Sequence, residues 1–434
     1  MATMATKLSC AEALIAGMLA LSIASGAEPS PSTGPAEESA NPLAALPSKA
    51  GAHIEKIKAL GENEWLILGT PEADPKWGVA RGRSWGGRAL TYAPDLGGAF
   101  FSGEGVHAYV DPKGYYLSDL WFYDANAHHW ICLYPGVPAK TVKLHLDEHG
   151  FEVNDKGEHT PIAFLGHAYG STTYDSDLRK YVVIYANICY VNGVIKQRQQ
   201  WLGTPREQWG QIYRIGKLNS RAKHPLFWDV AADRWERRFV EAPGGFDGSR
   251  EDGVAQYIPS LKKTLFAIRD QVWFYDYRSN KWTGSAKTGC PVTGYENGCY
   301  DPKRNRLYIA REKDFAYYDI AAEKWTLVRA EGQPETFYST NGVCLTYDTA
   351  ADVVLYHYRK PHGTIAAYEP DANRWVRPAK STFPTEKIKS LPYMLLNSFY
   401  HPKLNVHYYY LAGDSSNNVT TMLVYRYKRG KQEQ

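Results

Sequence analysis

One repeat restricts what this chain can fold into more than any other feature. An aromatic residue is followed by an acid, and a tryptophan falls six residues past that acid. The copies are Tyr123-Asp124 to Trp130, Trp228-Asp229 to Trp235, Tyr275-Asp276 to Trp282, Tyr318-Asp319 to Trp325 and, with one acidic swap, Tyr368-Glu369 to Trp375. The residues between acid and tryptophan are turn formers, so each copy predicts a β-hairpin. Five copies with identical spacing exclude chance. A second element, a tyrosine followed by a polar turn and an apolar strand, begins at Tyr92, Tyr174, Tyr257, Tyr300, Tyr347 and Tyr400. Together the two elements give four short strands, repeated six times. That periodicity predicts an all-β fold, a single β-propeller of six blades, with seven as the alternative count. The abundance of Tyr (32) and Trp (13), with 37 Gly and 25 Pro, suits short strands and tight turns better than a helical bundle.

The sixth unit ends at Met422–Tyr427 without a Trp strand, and the missing piece stands at the other end of the chain. Asn63-Glu64-Trp65-Leu66-Ile67-Leu68 resembles Glu323-Lys324-Trp325-Thr326-Leu327. The N-terminal strand is therefore expected to complete the last blade and close the ring, leaving no free edge inside it. The domain boundaries follow. Residues 1–27 read as a signal peptide, with Lys7 before an apolar run and small residues near Ala27 as the cleavage site. Residues 28–51 read as a flexible Pro-rich leader, 52–428 as the propeller and 429–434 as a basic tail. The apolar run is too short to span a membrane. A secreted or periplasmic location is expected, with no membrane and no nucleic acid as partner.

The repeat also shows where extra chain is spent. The step from Tyr element to Trp takes 25 residues in the third and fourth blades but 38 in the first and 61 in the second. The surplus falls at about 103–117, 134–166 and 188–224. Strand 2–3 loops and blade-to-blade connections leave a blade at the same end, so all three insertions belong to one rim over two neighbouring blades, where a rigid scaffold can carry a site. The 188–224 stretch holds Lys196, Arg198, Arg206, Arg214, Lys217, Arg221 and Lys223 against the single acid Glu207, matching the excess of 48 basic over 42 acidic residues past residue 50. Trp201, Trp209 and Tyr213 are interleaved with these charges. Aromatic faces beside guanidinium groups suit an anionic polysaccharide, because rings stack on sugar faces and Arg pairs carboxylate or sulfate. Arg198, Trp201, Trp209, Tyr213 and Arg214 are the expected substrate-binding residues.

His107, His167, Tyr190 and Arg206 belong to the same rim. A histidine moves a proton near neutrality, an arginine neutralises a carboxylate, and a tyrosine serves as acid or base. His128 and His129 occupy a hairpin turn and are expected at the surface. Removal of the signal peptide takes Cys10 and leaves five cysteines, an odd number, so disulfides are not the framework. Cys290 and Cys299 could close a small loop, and buried free thiols are the alternative. His401 and His407 with a nearby thiol are the candidates for a structural metal. No Gly-rich phosphate loop, Gly-x-Ser-x-Gly turn, His-Glu-x-x-His helix or paired Cys-x-x-Cys site is present.

The repeats resemble the kelch and galactose-oxidase-like propeller superfamily over nearly all of the chain past the leader. Within it, the crowded rim looks like that of the propeller-fold ulvan lyases, which cut an acidic, sulfated polysaccharide by β-elimination using His, Tyr and Arg. The resemblance implies His107 and His167 as histidines, with His128 the alternative to one of them, Tyr190 as the proton-transfer tyrosine and Arg206 as the carboxylate clamp. It implies no cofactor for catalysis. Two other classes stay open: a non-catalytic glycan-binding propeller, and a copper oxidoreductase of the galactose-oxidase kind, for which Cys189-Tyr190 and Cys299-Tyr300 supply the adjacent Cys and Tyr.

Overall fold

A computed structural model describes residues 41–81, 90–102, 113–115, 118–138, 145–147, 152–154, 156–159, 170–184, 223–241, 243–246, 253–292, 294, 297–337, 344–357, 365–378, 384, 396–412 and 420–428. Six four-stranded antiparallel sheets make up the fold, each a blade of a β-propeller. Blade one comprises Leu90–Ala93, Gly98–Ser102, Leu120–Asp124 and His129–Tyr134. Blade two comprises Thr172–Asp175, Lys180–Val183, Leu226–Asp229 and Arg234–Arg237. Blades three, four and five run over Val254–Ser285, Gly298–Val328 and Cys344–Val376.

Turn chemistry explains why the repeat makes hairpins. The acid after the aromatic accepts two backbone N–H groups through one oxygen: Asp124 from Asn126 and Ala127, Asp276 from Arg278 and Ser279, Asp301 from Lys303 and Arg304. The residue five past the aromatic then closes the turn in the left-handed region. His128, Arg179, Asp233, Lys262, Asn280, Asn305, Glu323, Asp352, Asn373 and Asn405 all have φ between 47° and 57° there, and Gly97 has φ 69°. Where that residue is Asn, its side chain accepts from the aromatic's hydroxyl, as in Tyr275 to Asn280 (2.8 Å) and Tyr368 to Asn373 (3.0 Å). Asn is favoured because it tolerates positive φ and bonds locally.

The last blade obeys the same rule across the chain ends. Its strands are Leu396–His401, Val406–Ala412, Thr420–Arg426 and, from the N-terminus, Glu64–Gly69. Trp65 lies opposite Tyr425, as Trp282 lies opposite Tyr275 and Trp325 opposite Tyr318. Asn63 sits at φ 53° and accepts from the Tyr425 hydroxyl (3.0 Å). The ring is closed by a hairpin whose turn is cut, as the sequence predicts.

The hydrophobic core is divided among six blade–blade interfaces. Strand alternation sends one side of each blade to each neighbour. Phe100 and Phe122 of blade one meet Tyr174 and Tyr181 of blade two, while Phe101 and Tyr123 of the same strands meet Tyr408 and Tyr410 of blade six.

The folded body begins at Asn41 rather than residue 52, so the second half of the expected leader is packed. Leu43 is fully buried among blade-one and blade-two residues, Asn41 Nδ2 donates to Val230 O (2.7 Å), and Gly51 N donates to Asn126 O (2.8 Å). The helix Ala52–Ala59, which the repeat gave no reason to expect, buries Ile54 and Ile57 against blades one and six. The Arg426 guanidinium donates to Ile57 O (2.9 Å) and Lys58 O (3.2 Å), carbonyls of the helix's last turns.

Candidate functional site

In an antiparallel four-stranded blade, the 1–2 and 3–4 turns lie at one end and the 2–3 and 4–1 connections at the other. Long connections run between Ser102 and Leu120, between Tyr134 and Thr172, and between Val183 and Leu226. All three leave blades one and two at the end opposite the tight turns, in agreement with the insertions read from the sequence. His107, His167, Tyr190 and Arg206, and with them Arg198, Trp201, Trp209, Tyr213 and Arg214, lie outside the described residues.

Parts of the insertions are described. Lys113 Nζ donates to Trp77 O (2.9 Å) and lies 5.5 Å from the Trp77 ring centroid, and Tyr115 meets the same ring edge-on. In the second insertion, His145–Leu146 pairs with Glu152–Val153 as a short hairpin. Asn154 Oδ1 then accepts from Lys156 N (2.9 Å) and Glu158 N (3.0 Å), turning the chain back. That turn brings His159 Nε2 to 2.7 Å from Asp147 Oδ2, both groups partly exposed. The His159 ring packs edge-on against Phe239, which also meets His224. A carboxylate that orients an imidazole is a proton-transfer arrangement. Sequence reasoning missed this pair because a separation of twelve residues matches no motif. The hairpin pattern and the Asn-x-x-Gly turn between them were the available signal.

At the tight-turn end, the innermost strands surround the central channel. Their tyrosines reach across to the preceding blade. Tyr174 donates to Asp95 of blade one (3.1 Å), Arg304 of blade four donates to the Tyr347 hydroxyl (3.4 Å), and Tyr400 accepts from Ala350 N of blade five (3.3 Å). Tyr92 stacks on Phe399 of blade six, centroids 5.4 Å apart and 9° from parallel. The tyrosine element that marks each blade in the sequence is thus a latch between blades. Burial pushes the phenols of Tyr92, Tyr174, Tyr257, Tyr300, Tyr347 and Tyr400 up, away from ionisation. Within the channel lies a cavity of about 360 Å³ to which all six innermost strands contribute. Its rim is formed by Pro94, Ser176, Pro259, Pro302, Thr349 and Pro402, one from each blade.

Several expectations change at this point. His128 is half-buried rather than a surface residue: Tyr123 bonds its Nδ1 (2.7 Å), and burial, with His53 beside it, lowers its pKa to about 4. Its place in a 3–4 turn puts it at the opposite end of the blade from the insertions, so it does not stand in for a rim histidine. Cys290 and Cys299 are not disulfide-bonded and do not close a loop, and Cys132 forms no disulfide either. Burial pushes the Cys290 thiol up to about 12. His407 is fully buried, with Nδ1 against Thr346 Oγ1 (3.0 Å) and Nε2 against Asp348 Oδ2 (3.2 Å), which ties blade six to blade five. His401 Nδ1 accepts from Leu404 N. Both candidate metal ligands are therefore engaged within the blades, and among the described residues no group of three His, Cys, Asp or Glu could hold a metal ion. Among the described residues, too, no helix is long and apolar enough to cross a membrane.

No family model matches the chain, and no curated protein matches it. Among solved structures, it is similar to one titled "Crystal Structure of Mitotic Checkpoint Complex", at 9% identity and a TM-score of 0.42, over 84% of this chain and 93% of that one. Likeness at that level supports no inference about activity or partners. What the chain's own architecture defines is an all-β, six-bladed propeller.

Proposed function

We propose that this propeller acts on an acidic, uronate-bearing polysaccharide such as ulvan, as a secreted lyase that cleaves by β-elimination. The observation that carries the reading is the shared exit of three long connections from two adjacent blades, one of which bears seven Lys and Arg against one Glu, with Trp201, Trp209 and Tyr213 among them. Clustered cation and aromatic surface on a rigid scaffold suits a long anionic chain.

In this reading Arg206 pairs the uronate carboxylate, which acidifies the proton on C5 and stabilises the charge that develops as it leaves. His107 or Tyr190 removes that proton. Tyr190 or His167 protonates the leaving oxygen at C4, and the product carries a C4–C5 double bond conjugated with the carboxylate. His159, oriented by Asp147, is a further group of the second insertion able to move a proton. Nothing in these steps calls for a redox cofactor.

Incubation with ulvan should raise ultraviolet absorbance as conjugated uronate forms. Tyr190→Phe should remove most of the rate while leaving binding, since it deletes only the transferable proton. Arg206→Ala should harm both. Binding without any absorbance change, with ulvan or another uronate polymer, would replace the lyase reading with that of a glycan-binding propeller.

A further inference from the structure

The channel cavity at the tight-turn end has a chemical character of its own. Its volume of about 360 Å³ falls at the lower end of the ~300–1,000 Å³ range of small-molecule sites. Tyrosine rings and prolines supply apolar faces around it, while Thr91, Thr172, Ser398 and Gln256 bring neutral hydrogen-bonding groups. None of its described lining residues carries a formal charge. An ion entering it would lose hydration without a compensating partner, whereas a neutral polyhydroxylated molecule would find donors, acceptors and flat C–H-binding faces together.

Three of its hydroxyls support the same reading. Ser398 is 2% exposed, yet its Oγ has no hydrogen-bond partner among the described residues. The hydroxyls of Tyr92, on the adjacent blade, and of Tyr257, on the third blade, are likewise buried and have no hydrogen-bond partner among the described residues. Buried polar groups in native proteins are nearly always satisfied, by protein, water or ligand. Thr91 and Thr172 beside them are already bonded to each other (2.9 Å). Ser398, Tyr92 and Tyr257 are thus the lining residues whose buried hydroxyls have no hydrogen-bond partner among the described residues.

We infer that this cavity is a binding site for one neutral sugar ring, reached from the tight-turn end and separate from the surface that carries the insertions. The buried phenols remain protonated donors throughout the physiological range, so the site stays uncharged. It does not depend on the lyase reading, because none of its residues belongs to the insertions.

The test is calorimetric titration of the full chain with D-glucose, D-galactose, D-mannose and L-rhamnose, with D-glucuronate as the charged control. At least one neutral sugar should bind saturably in the millimolar range, with affinity unchanged by added sodium chloride, and glucuronate should bind at least fivefold more weakly. Ser398→Ala should weaken the sugar at least fivefold without lowering the melting temperature, because the hydroxyl removed bonds nothing among the described residues. Tyr92→Phe is the second variant, with the same expectation. The inference is overturned if none of the four sugars saturates, if glucuronate binds as well as they do, or if both variants bind sugar like the native chain.

Discussion

A disulfide placed across the ring closure gives a quantitative test of the fold. Leu66 and Val424 are directly opposite in the antiparallel pairing of Glu64–Gly69 with Thr420–Arg426. Opposed residues in such a pair have Cα atoms ~4.5–5.5 Å apart, inside the ~4.4–6.8 Å that a disulfide spans. Leu66→Cys with Val424→Cys should therefore cross-link without moving the backbone. The bridge would close a loop of about 360 residues, for which the chain-entropy relation gives ~6 kcal/mol as an upper bound. Val424 is fully buried and Leu66 packs beside it, so both substitutions also remove core contacts. Comparing oxidised and reduced forms of the same variant cancels that loss. Urea unfolding should place the oxidised form several kcal/mol above the reduced one. The native chain, in which the described thiols of Cys132, Cys290 and Cys299 form no disulfide, should show no such difference. Thiols that stay unlinked, or a link that adds no stability, would refute the placement of the N-terminal strand in the last blade.

Other consequences follow from single side chains. Leu43→Ala should cost about 2–5 kcal/mol, the range for a buried leucine, read as a lower urea midpoint; no change would return residues 41–51 to the status of a loose leader. Arg304→Met should cost roughly 3 kcal/mol, because it strands the fully buried Asp301 carboxylate that Arg304 bridges at 2.9 Å; a neutral result would show that the ion pair is dispensable. His401 is 4% exposed and burial lowers its pKa to about 4. Its folded pKa thus lies below the unfolded value near ~6.5, so the unfolded chain takes up the proton first. Stability from the neutral ring is fully present above that value and is lost as pH falls toward 4, by up to ~3 kcal/mol. His401→Asn should flatten the urea-midpoint profile between pH 7 and 4.5, and parallel profiles would count against the assignment.

The fold was legible because its information is local. Tyr275-Asp276…Asn280-x-Trp282 carries in eight residues the acid that caps the turn, the residue that takes positive φ and the aromatic pair that packs across the hairpin. Asn63-x-Trp65 is the tail of the same motif, which is why ring closure could be read from the chain ends. The helix Ala52–Ala59 was hidden because it buries only Ile54 and Ile57 and is held by an arginine at the far end of the chain. Leu43 was hidden in a composition that resembles a linker. Of the candidate site, the sequence located the insertions by length and charge, and the strand ends agree. The Asp147–His159 pair depends on a hairpin inside an insertion, and the unpartnered Ser398 depends on six strands meeting around a channel. Neither arrangement has a linear signature.

The reading of the insertion-bearing end as a surface for acidic polysaccharide is tested most directly by affinity against salt. Ulvan and a neutral glucan of similar length would each be titrated into the native chain and into a triple variant, Lys196→Ser, Arg198→Ser and Arg206→Ser. The native chain should bind ulvan far more tightly than the glucan. That preference should fall steeply as the screening length shrinks from ~10 Å at 0.1 M salt toward ~3 Å at 1 M, and the triple variant should lose most of it at low salt. Equal affinity for both polymers, or an ulvan affinity that neither salt nor the triple substitution alters, would contradict the account.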